Sequence, residues 1–400
     1  METMNKLLSK NKIYTFAIFF NFVIYLYLGI NQFKNINCGN DGLRYCSMAG
    51  ASGLIDKIDS PYDKRILLPQ LVDFISSNET RQIVLVFLVY NLIFFTMILF
   101  LLNNLLRKFD IQENLLFLLL VVSLNPYLLY LIFISPVLTD WLALLFMLLF
   151  VKFVIEKKFG LLIPIGILGS LNRENWLIIF IITIFAIKSN EVINFKVKLK
   201  YVLIIVSVYL LISNLYISSN NLGLASNVTN TYLEYVKIAF DSKPNVLRFL
   251  YQILVGISPI ILIIPFIIRD IQKNELVYFS TLIGSIYFVL SVFAGGDIER
   301  ILLPIFLLLT LIYSNHKKNS KNYSLNRIFI ILTCYIVWNP LRFHLNDGQQ
   351  SNSIFFARFW DNPNWVLSRS KIEIGLICAF YFLYIVVFYI RKRNKLHNAQ

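Results

Sequence analysis

The chain has 400 residues, of which 58% are hydrophobic and only 15% are charged. Its mean hydropathy is +0.68. A water-soluble chain of this length cannot bury so much apolar surface, so the composition argues against a soluble protein and predicts one that crosses a membrane many times. The formal net charge of +15 would by itself suit nucleic-acid binding, but the distribution of the basic residues along the chain argues against it.

Hydrophobic segments recur along the whole chain, beginning with residues 13–31. We interpret this first segment as a retained helix, because it exceeds a signal-peptide core and no small-residue cleavage site follows it. The segments 159–171 and 175–187 are shorter than the roughly 20 residues that cross a bilayer upright. Three structures remain possible for these two segments: short helices within the bundle, helices that extend into the flanking residues, or a re-entrant hairpin. The remaining segments are 83–106, 114–134, 137–155, 201–217, 249–268, 277–294, 301–314, 328–340 and 373–390.

The charge distribution predicts how these twelve segments are oriented. With the N-terminus inside, 22 of the 37 Lys and Arg residues but only 7 of the 22 Asp and Glu residues fall on the cytoplasmic side. That side then carries the whole net charge, as the positive-inside rule requires when both termini are cytoplasmic. The basic residues are therefore expected to be membrane anchors, not a nucleic-acid groove.

The predicted fold class is an all-α polytopic transmembrane helix bundle of about twelve membrane segments. Residues 1–400 form a single transmembrane domain, without a separate soluble domain. A bacterial inner or plasma membrane is the expected location. The predicted outer face carries the long loops 32–82, 218–248 and 341–372 and the polar turns 135–140, 172–174 and 295–300, so we expect function on that face.

Asp41 opens the first outer loop, 32–82, just past a hydrophobic segment. A carboxylate at this depth can act as a general base or ligate a divalent cation; a helix-capping or solvated aspartate is the structural alternative. Cys38 and Cys46 bracket Asp41, and a disulfide between them would hold this loop rigid in an oxidising compartment. Whether that disulfide forms stays open. Cys334 and Cys378 are expected to be small core residues.

Further charged residues lie in the predicted outer turns. Arg65 belongs to the stretch from Pro61 to Pro69, which indicates a short helix on the membrane surface. Its guanidinium suits a phosphate, or simply extends to the interface. Asp140 and the neighbours Arg173 and Glu174 interrupt apolar segments, where charges usually face a cavity or each other. Ordinary interface turns, with Arg173 neutralised by Glu174, are the alternative.

Four strings on the predicted outer face together resemble the integral-membrane glycosyltransferases of the GT-C superfamily. The resemblance implies a many-helix protein with an acidic residue in the first outer loop, a juxtamembrane helix after it, and a polyprenyl- or dolichyl-phosphate sugar donor. Asp41 corresponds in it to the catalytic residue. The strings are Asp41-Gly42-x-x-Tyr45, Pro61-Tyr62-x-x-Arg65-x-Leu67-x-Pro69, Leu171-x-Arg173-Glu174 and Gly296-Asp297-x-Glu299-Arg300.

The implied function is transfer of a sugar from the polyprenyl-phosphate donor to a glycan or lipid-linked acceptor on the outer face, as in cell-envelope glycan biosynthesis. The lipid phosphate is the leaving group, so the protein supplies a base, Asp41, and positive charge for the departing phosphate. The phosphate candidates are, in order, Arg300, Arg173 and Arg65. The other expected substrate-binding residues are Tyr45, Asp140, Glu174, Asp297 and Glu299.

One departure from the family pattern leaves the metal dependence open. Many relatives carry two acids close together in the first outer loop, whereas Asn40 precedes Asp41 here. No metal ligand is therefore assigned, and a requirement for Mg²⁺ or Mn²⁺ stays open.

Two other functions stay open as alternatives. An O-antigen-type glycan polymerase or ligase would place its key residues in 341–372. A transporter or flippase of lipid-linked sugars would place charges near the membrane midplane, whereas these lie toward one side.

Overall fold

A computed structural model shows the protein as an assembly of α-helices. The structure describes residues 18–20, 22, 23, 38, 40–51, 65–109, 115–124, 137, 139–188, 193–219, 237, 246, 271, 273–291, 298–315, 326–331, 375 and 378–390. For residues 40, 41, 115–118, 124, 217–219 and 298–302 it describes the backbone alone.

The described secondary structure is helical, with no strand among these residues, which confirms the predicted all-α class. Helical residues also occur at 326–331, and a late helix spans Cys378–Ile390. A short 3₁₀ turn, Phe159–Leu161, precedes α6. The main helices are α1 Asn40–Met48, α2 Leu67–Asp73, α3 Thr80–Lys108, α4 Leu115–Leu124, α5 Asp140–Ile155, α6 Leu162–Asn172, α7 Asn175–Ala186, α8 Phe195–Ser219, α9 Glu275–Ser291 and α10 Ile298–Ser314.

Helix α5 lies at the centre of the described bundle, because it is apolar on every side. Within it, only Leu149, Lys152 and Phe153 are even partly exposed. Helices α3, α6, α9 and α10 pack around it, and α9 and α10 form a closely packed hairpin. The buried faces of these helices belong to one continuous hydrophobic core.

Contacts between helix ends give the bundle two distinct ends. The rings of Phe95 in α3 and Trp141 in α5 lie 5.1 Å apart, and Lys108 Nζ at the end of α3 donates to the carbonyl of Ile155 at 3.2 Å. Helices α3 and α5 are therefore parallel, as expected if both run from the outer to the cytoplasmic side. We name the two ends of the bundle the Lys108 end and the Asp140 end.

Several helices expose apolar side chains on the outside of the bundle. Thr80–Lys108 is the described helix that is both long and apolar enough to cross a membrane, and the other apolar helices in the described ranges are shorter. The all-helical architecture is thus established, and the count of twelve spans stays a prediction. The exposed apolar residues of α3, α7 and α8 are Leu85, Val89, Leu92, Ile93, Met97, Phe100, Ile178, Ile182, Phe185, Phe195, Leu199, Leu203, Leu210, Leu211 and Leu215.

The turn between α6 and α7 lies inside the bundle. Helix α3 runs from Thr80 for about 22 Å, at 1.5 Å per residue, before it reaches Phe95, which is level with the start of α5. Helices α6 and α7 have only 11 and 12 residues, so their turn stops at the same depth. Helices α1 and α2 pack on the first half of α3, beyond this level, and Asn172 is fully buried.

Two details differ from the sequence-based expectations. The short helix predicted after Pro61 begins at Leu67, and it buries Leu68 and Val72 as well as exposing an apolar edge. The expectation that Cys378 is a core residue is wrong, because its thiol is free and exposed. On the helix Cys378–Ile390 the buried residue is Tyr384, and six residues of separation turn the helix by roughly 240°. Cys334 lies outside the described residues.

Candidate active site

The best-connected polar group at the Asp140 end joins three distant parts of the chain. Arg65 Nε and Nη2 donate to the two carboxylate oxygens of Glu174 at 2.9 and 2.8 Å, and Arg65 Nη1 donates to the hydroxyl of Tyr45 at 3.0 Å. Tyr45 is fully buried. We call Tyr45, Arg65 and Glu174 the clamp, because they tie α1, the segment before α2 and the α6–α7 turn together.

The clamp has the electrostatics of a fully formed ion pair. Burial by itself raises the pKa of Glu174, but the charge and hydrogen bonds of Arg65 outweigh this, so the pKa lies below its ordinary value. Burial likewise lowers the pKa of Arg65, while Glu174 and then Tyr45 raise it to well above its ordinary value. Both groups are therefore charged at neutral pH, as a bidentate arginine–carboxylate pair requires.

A second ion pair lies beside the clamp, between Arg173 and Asp140. Arg173 Nη2 donates to Asp140 Oδ1, and both residues are buried. Arg173 and Glu174 are neighbours in sequence, yet each forms its hydrogen-bonded pair with a different partner. The hydrogen-bonded partners of the two neighbours are therefore Asp140 and Arg65, although Arg173 and Glu174 also interact electrostatically. The Arg173–Asp140 pair agrees with the expectation that charges at this depth face each other.

Unpaired polar atoms concentrate around the second ion pair. Asn172 Nδ2 donates to the carbonyl of Thr139 at 3.1 Å, but Thr139 Oγ1, Asn172 Oδ1, Arg173 Nε and Trp176 Nε1 are buried without a hydrogen-bond partner within the described part of the chain. Buried polar atoms are nearly always satisfied in proteins. Such a concentration in two adjoining turns indicates a place where water or a ligand completes the hydrogen bonds.

Helix α1 brings Asp41 to this region. Asp41 is the second residue of α1, and its backbone lies one turn, about 6 Å, before Tyr45 of the clamp. A Cβ at Gly42 would lie 3.3 Å from Cβ of Val137, so the start of α1 also adjoins the segment before Asp140. Asp41 thus lies in a helix and not in an open loop; its side chain lies outside the described part.

A disulfide between Cys38 and Cys46 closes the segment that contains Asp41. Cys46 is fully buried and Cys38 is 4% exposed. The cross-link, which the sequence left open, ties the residues before α1 to its last turn. Together with the clamp it holds both sides of Asp41 to the bundle.

Helix α9 approaches the same end and contacts both α5 and α7. Tyr287 in its penultimate turn is buried and lies with Arg173 in the wall of one small cavity. Helix α10, which follows α9 antiparallel, begins at Ile298, so the backbone of Glu299 and Arg300 lies in the first turn of α10 at this end. Their side chains, and Asp297 altogether, lie outside the described residues.

The described residues do not fit a divalent-cation site. Within them, no three His, Cys, Asp or Glu side chains come together. The two carboxylates of the cluster, Asp140 and Glu174, are each bound to an arginine. A cation needs several oxygen ligands with negative charge to spare. The side chain of Asp41 lies outside the described part, so a requirement for Mg²⁺ or Mn²⁺ stays a prediction.

Sequence analysis predicted five of the residues that come together here: Tyr45, Arg65, Asp140, Arg173 and Glu174. It missed those that shape the space between them, Gly169, Trp176 and Tyr287. A signal for Gly169 and Trp176 was present in the sequence. Gly169 lies one helical turn before the charged pair Arg173–Glu174, and Trp176 lies two residues after it. This spacing places a small residue opposite a large one across a helix hairpin.

Comparisons of the chain with protein-family models, with curated protein sequences and with solved structures gave no match. The GT-C resemblance therefore stays a prediction that rests on the residues quoted above.

Proposed function

We propose that the protein is a polytopic integral-membrane glycosyltransferase with twelve membrane segments and both termini in the cytoplasm. It moves a sugar from a polyprenyl-phosphate donor to a glycan or lipid-linked acceptor on the non-cytoplasmic face. The membrane assignment is supported by apolar side chains that cover the outside of the bundle while ion pairs lie within it. Soluble proteins rarely expose large apolar surfaces, and charges inside a membrane protein usually mark a functional site.

One observation carries the catalytic proposal. The short helix that contains Asp41 is fastened one turn further on, through Tyr45, to a bidentate ion pair inside the bundle. A catalytic carboxylate has to be held within a fraction of an ångström of its productive position. The disulfide at the same helix adds to this fixation, and the buried Arg173 supplies positive charge close by.

In the proposed reaction, Asp41 takes the proton of an acceptor hydroxyl as that oxygen attacks the anomeric carbon of the donor sugar. The bond between the anomeric carbon and the phosphate oxygen breaks, and the phosphate leaves with the bonding electrons and its lipid. One base and one direct displacement invert the anomeric configuration. Because the leaving phosphate is already a good anion, it needs positive charge and not a general acid.

The contacts rank the arginines for the leaving phosphate. Arg65 already uses Nε, Nη1 and Nη2 in the clamp, so we assign it to positioning α1. Arg173 pairs with Asp140 through Nη2, and its Nε has no partner within the described residues, which leaves a donor for a phosphate. Arg300 at the head of α10 stays the first candidate, with Glu299 and Asp297 beside it in sequence as further substrate-binding candidates.

The test is transfer activity of Asp41→Asn in membrane vesicles with a polyprenyl-phosphate sugar donor. General-base catalysis contributes typically about 10²–10⁴ in rate, so the variant should lose at least 100-fold while it still inserts. Asp73→Asn is the matched control, because Asp73 is an exposed carboxylate of the same predicted outer loop. Full activity of Asp41→Asn would refute the assignment.

The same assay separates the rival functions. Arg358 and Arg369 lie in the predicted outer loop 341–372, where a glycan polymerase or ligase would place its key residues. Loss of activity in variants of these two arginines, with Asp41→Asn still active, would indicate such an enzyme. Movement of the lipid-linked sugar across protein-only vesicles without any transfer would indicate a transporter.

A further inference from the structure

A small, partly open cavity lies beside the Arg173–Asp140 pair, between α5, α6, α7 and α9. It has room for about one water-sized atom. The wall consists of Ala143, Gly169, Arg173, Asn175, Trp176 and Tyr287. Glycine at 169 is required for this shape, because a Cβ there would overlap the edge of the Trp176 indole at Nε1 and Cδ1.

Two of the wall residues present hydrogen-bond donors that lack an acceptor. Arg173 is 9% and Trp176 is 2% exposed, and Arg173 Nε and Trp176 Nε1 are both without a partner within the described residues. Each of these atoms can only donate. A buried donor without an acceptor is destabilising, so a single oxygen atom in this cavity would satisfy two such donors together.

The surroundings favour an oxygen that carries negative charge. Arg173 is cationic, and the cavity lies at the first turn of the twelve-residue helix α7, whose N-terminus bears partial positive charge. Asp140 pairs with Arg173 through Nη2, and Glu174 also interacts with Arg173 electrostatically, while Nε of Arg173 has no partner within the described residues. The donors that border the cavity therefore belong to a guanidinium and an indole, which together suit an oxyanion.

We propose that this cavity receives one oxygen of the phosphate of the lipid-linked substrate, with Arg173 Nε and Trp176 Nε1 as donors. The rest of the phosphate lies outside, since the cavity admits a single oxygen. The proposal rests on the proposed function for the identity of the lipid phosphate, and it adds Trp176 as a substrate-binding residue. Gly169 acts through Trp176, as a positioning residue.

Calorimetric binding to the purified full-length chain tests the proposal, with farnesyl phosphate as the probe. Trp176→Phe removes the indole N–H and keeps an aromatic ring, and a hydrogen bond to a charged group is worth about tenfold or more in affinity. We expect that loss for Trp176→Phe. Trp141→Phe is the matched control, because Trp141 is equally buried and its Nε1 is also unpartnered among the described residues, yet it does not line the cavity.

The control should bind within about twofold of the wild type. Equal weakening by Trp176→Phe and Trp141→Phe would overturn the proposal, and so would binding of farnesol as tight as that of farnesyl phosphate. Inorganic phosphate bound as tightly as farnesyl phosphate would keep the oxyanion site but assign it to free phosphate. If Trp176→Phe fails to fold, Arg173→Lys tests the same point, since it keeps the charge and removes Nε.

The transfer assay distinguishes failure of this proposal from failure of the proposed function. If transfer depends on Asp41 but Trp176→Phe binds farnesyl phosphate as well as the wild type, the phosphate site in the cavity is refuted and the proposed glycosyltransferase activity stands. If binding of farnesyl phosphate depends on Trp176 but the protein transfers no sugar, the glycosyltransferase activity is refuted and the phosphate site stands.

Discussion

Arg65 and Glu174 are 109 residues apart in the chain, yet they form two parallel hydrogen bonds of 2.9 and 2.8 Å. The planar guanidinium and the carboxylate face each other in the fork geometry that lysine cannot reproduce. Because Arg65 also holds Tyr45, the pair fastens α1 to the middle of the bundle. The candidate site is therefore assembled by tertiary contacts, and the clamp is the contact that joins its three parts.

Charge reversal tests the clamp. Arg65→Glu should destabilise the protein by about 3 kcal/mol or more, because it leaves two carboxylates together in a partly buried position. The exchange Arg65→Glu with Glu174→Arg should recover part of that loss. The measurement is the unfolding midpoint in detergent. Lys152→Gln is the control, because the 3.8 Å contact of Lys152 with Glu156 should contribute under about 1 kcal/mol. Absence of any recovery would show that the two residues act separately.

The pH dependence of stability follows from the lowered pKa of Glu174. A carboxylate with a lowered folded-state pKa stabilises the fold fully above its unfolded pKa, here about 4.5, and this stabilisation is lost as the pH falls through the folded value. The difference in unfolding midpoint between wild type and Glu174→Gln should be constant above about pH 5.5 and shrink below 4.5. Glu156, whose pKa is also lowered, contributes equally to the pH dependence of both proteins, so its contribution drops out of this difference. A difference that grows on acidification contradicts the clamp.

Reduction of the Cys38–Cys46 disulfide should loosen α1. A cross-link across eight residues is worth about 2.5 kcal/mol in the chain-entropy relation. Cys38→Ala with Cys46→Ala should therefore lower the unfolding midpoint and reduce transfer. Mass spectrometry of denatured protein after maleimide labelling should show two more labels with prior reduction than without it. An equal number of labels would mean that the thiols are free.

Gly169 and Gly284 form a matched pair of buried helical glycines. A Cβ at Gly169 overlaps the indole of Trp176, whereas at Gly284 the nearest atoms are 3.9 and 4.0 Å away. Gly169→Ala should therefore cost about 1–3 kcal/mol by overpacking and impair farnesyl phosphate binding. Gly284→Ala should be neutral or stabilise by up to about 1 kcal/mol, through helix propensity. Equal unfolding midpoints for the two variants would mean that Trp176 does not occupy the position described.

The alternation of apolar segments with charged turns determined much of the architecture in advance. The helices around Thr80–Lys108, Asp140–Ile155 and the α6–α7 hairpin follow from apolar runs, and their relative directions agree with the orientation predicted from charge alone. The helices can be predicted from the sequence because the backbone N–H and C=O groups of a long apolar run in a membrane must bond to each other, which favours an α-helix. The helix around Asp41 was not foreseen, because its nine residues mix polar and apolar side chains without a long apolar run and it is fastened by contacts far away in sequence.

From residue order alone one can therefore derive the helical class and name charged residues that the fold brings together, while the sidedness of the charges stays a prediction. Which charge meets which is decided by the folded bundle: Arg173 turns to Asp140 and Glu174 to Arg65, although the two neighbours stand side by side in the chain. The physical reason is that ion pairs depend on distances of 3–4 Å between atoms, and only packing of helices with small residues such as Gly169 brings remote segments that close. The cavity beside Trp176 exists for the same reason.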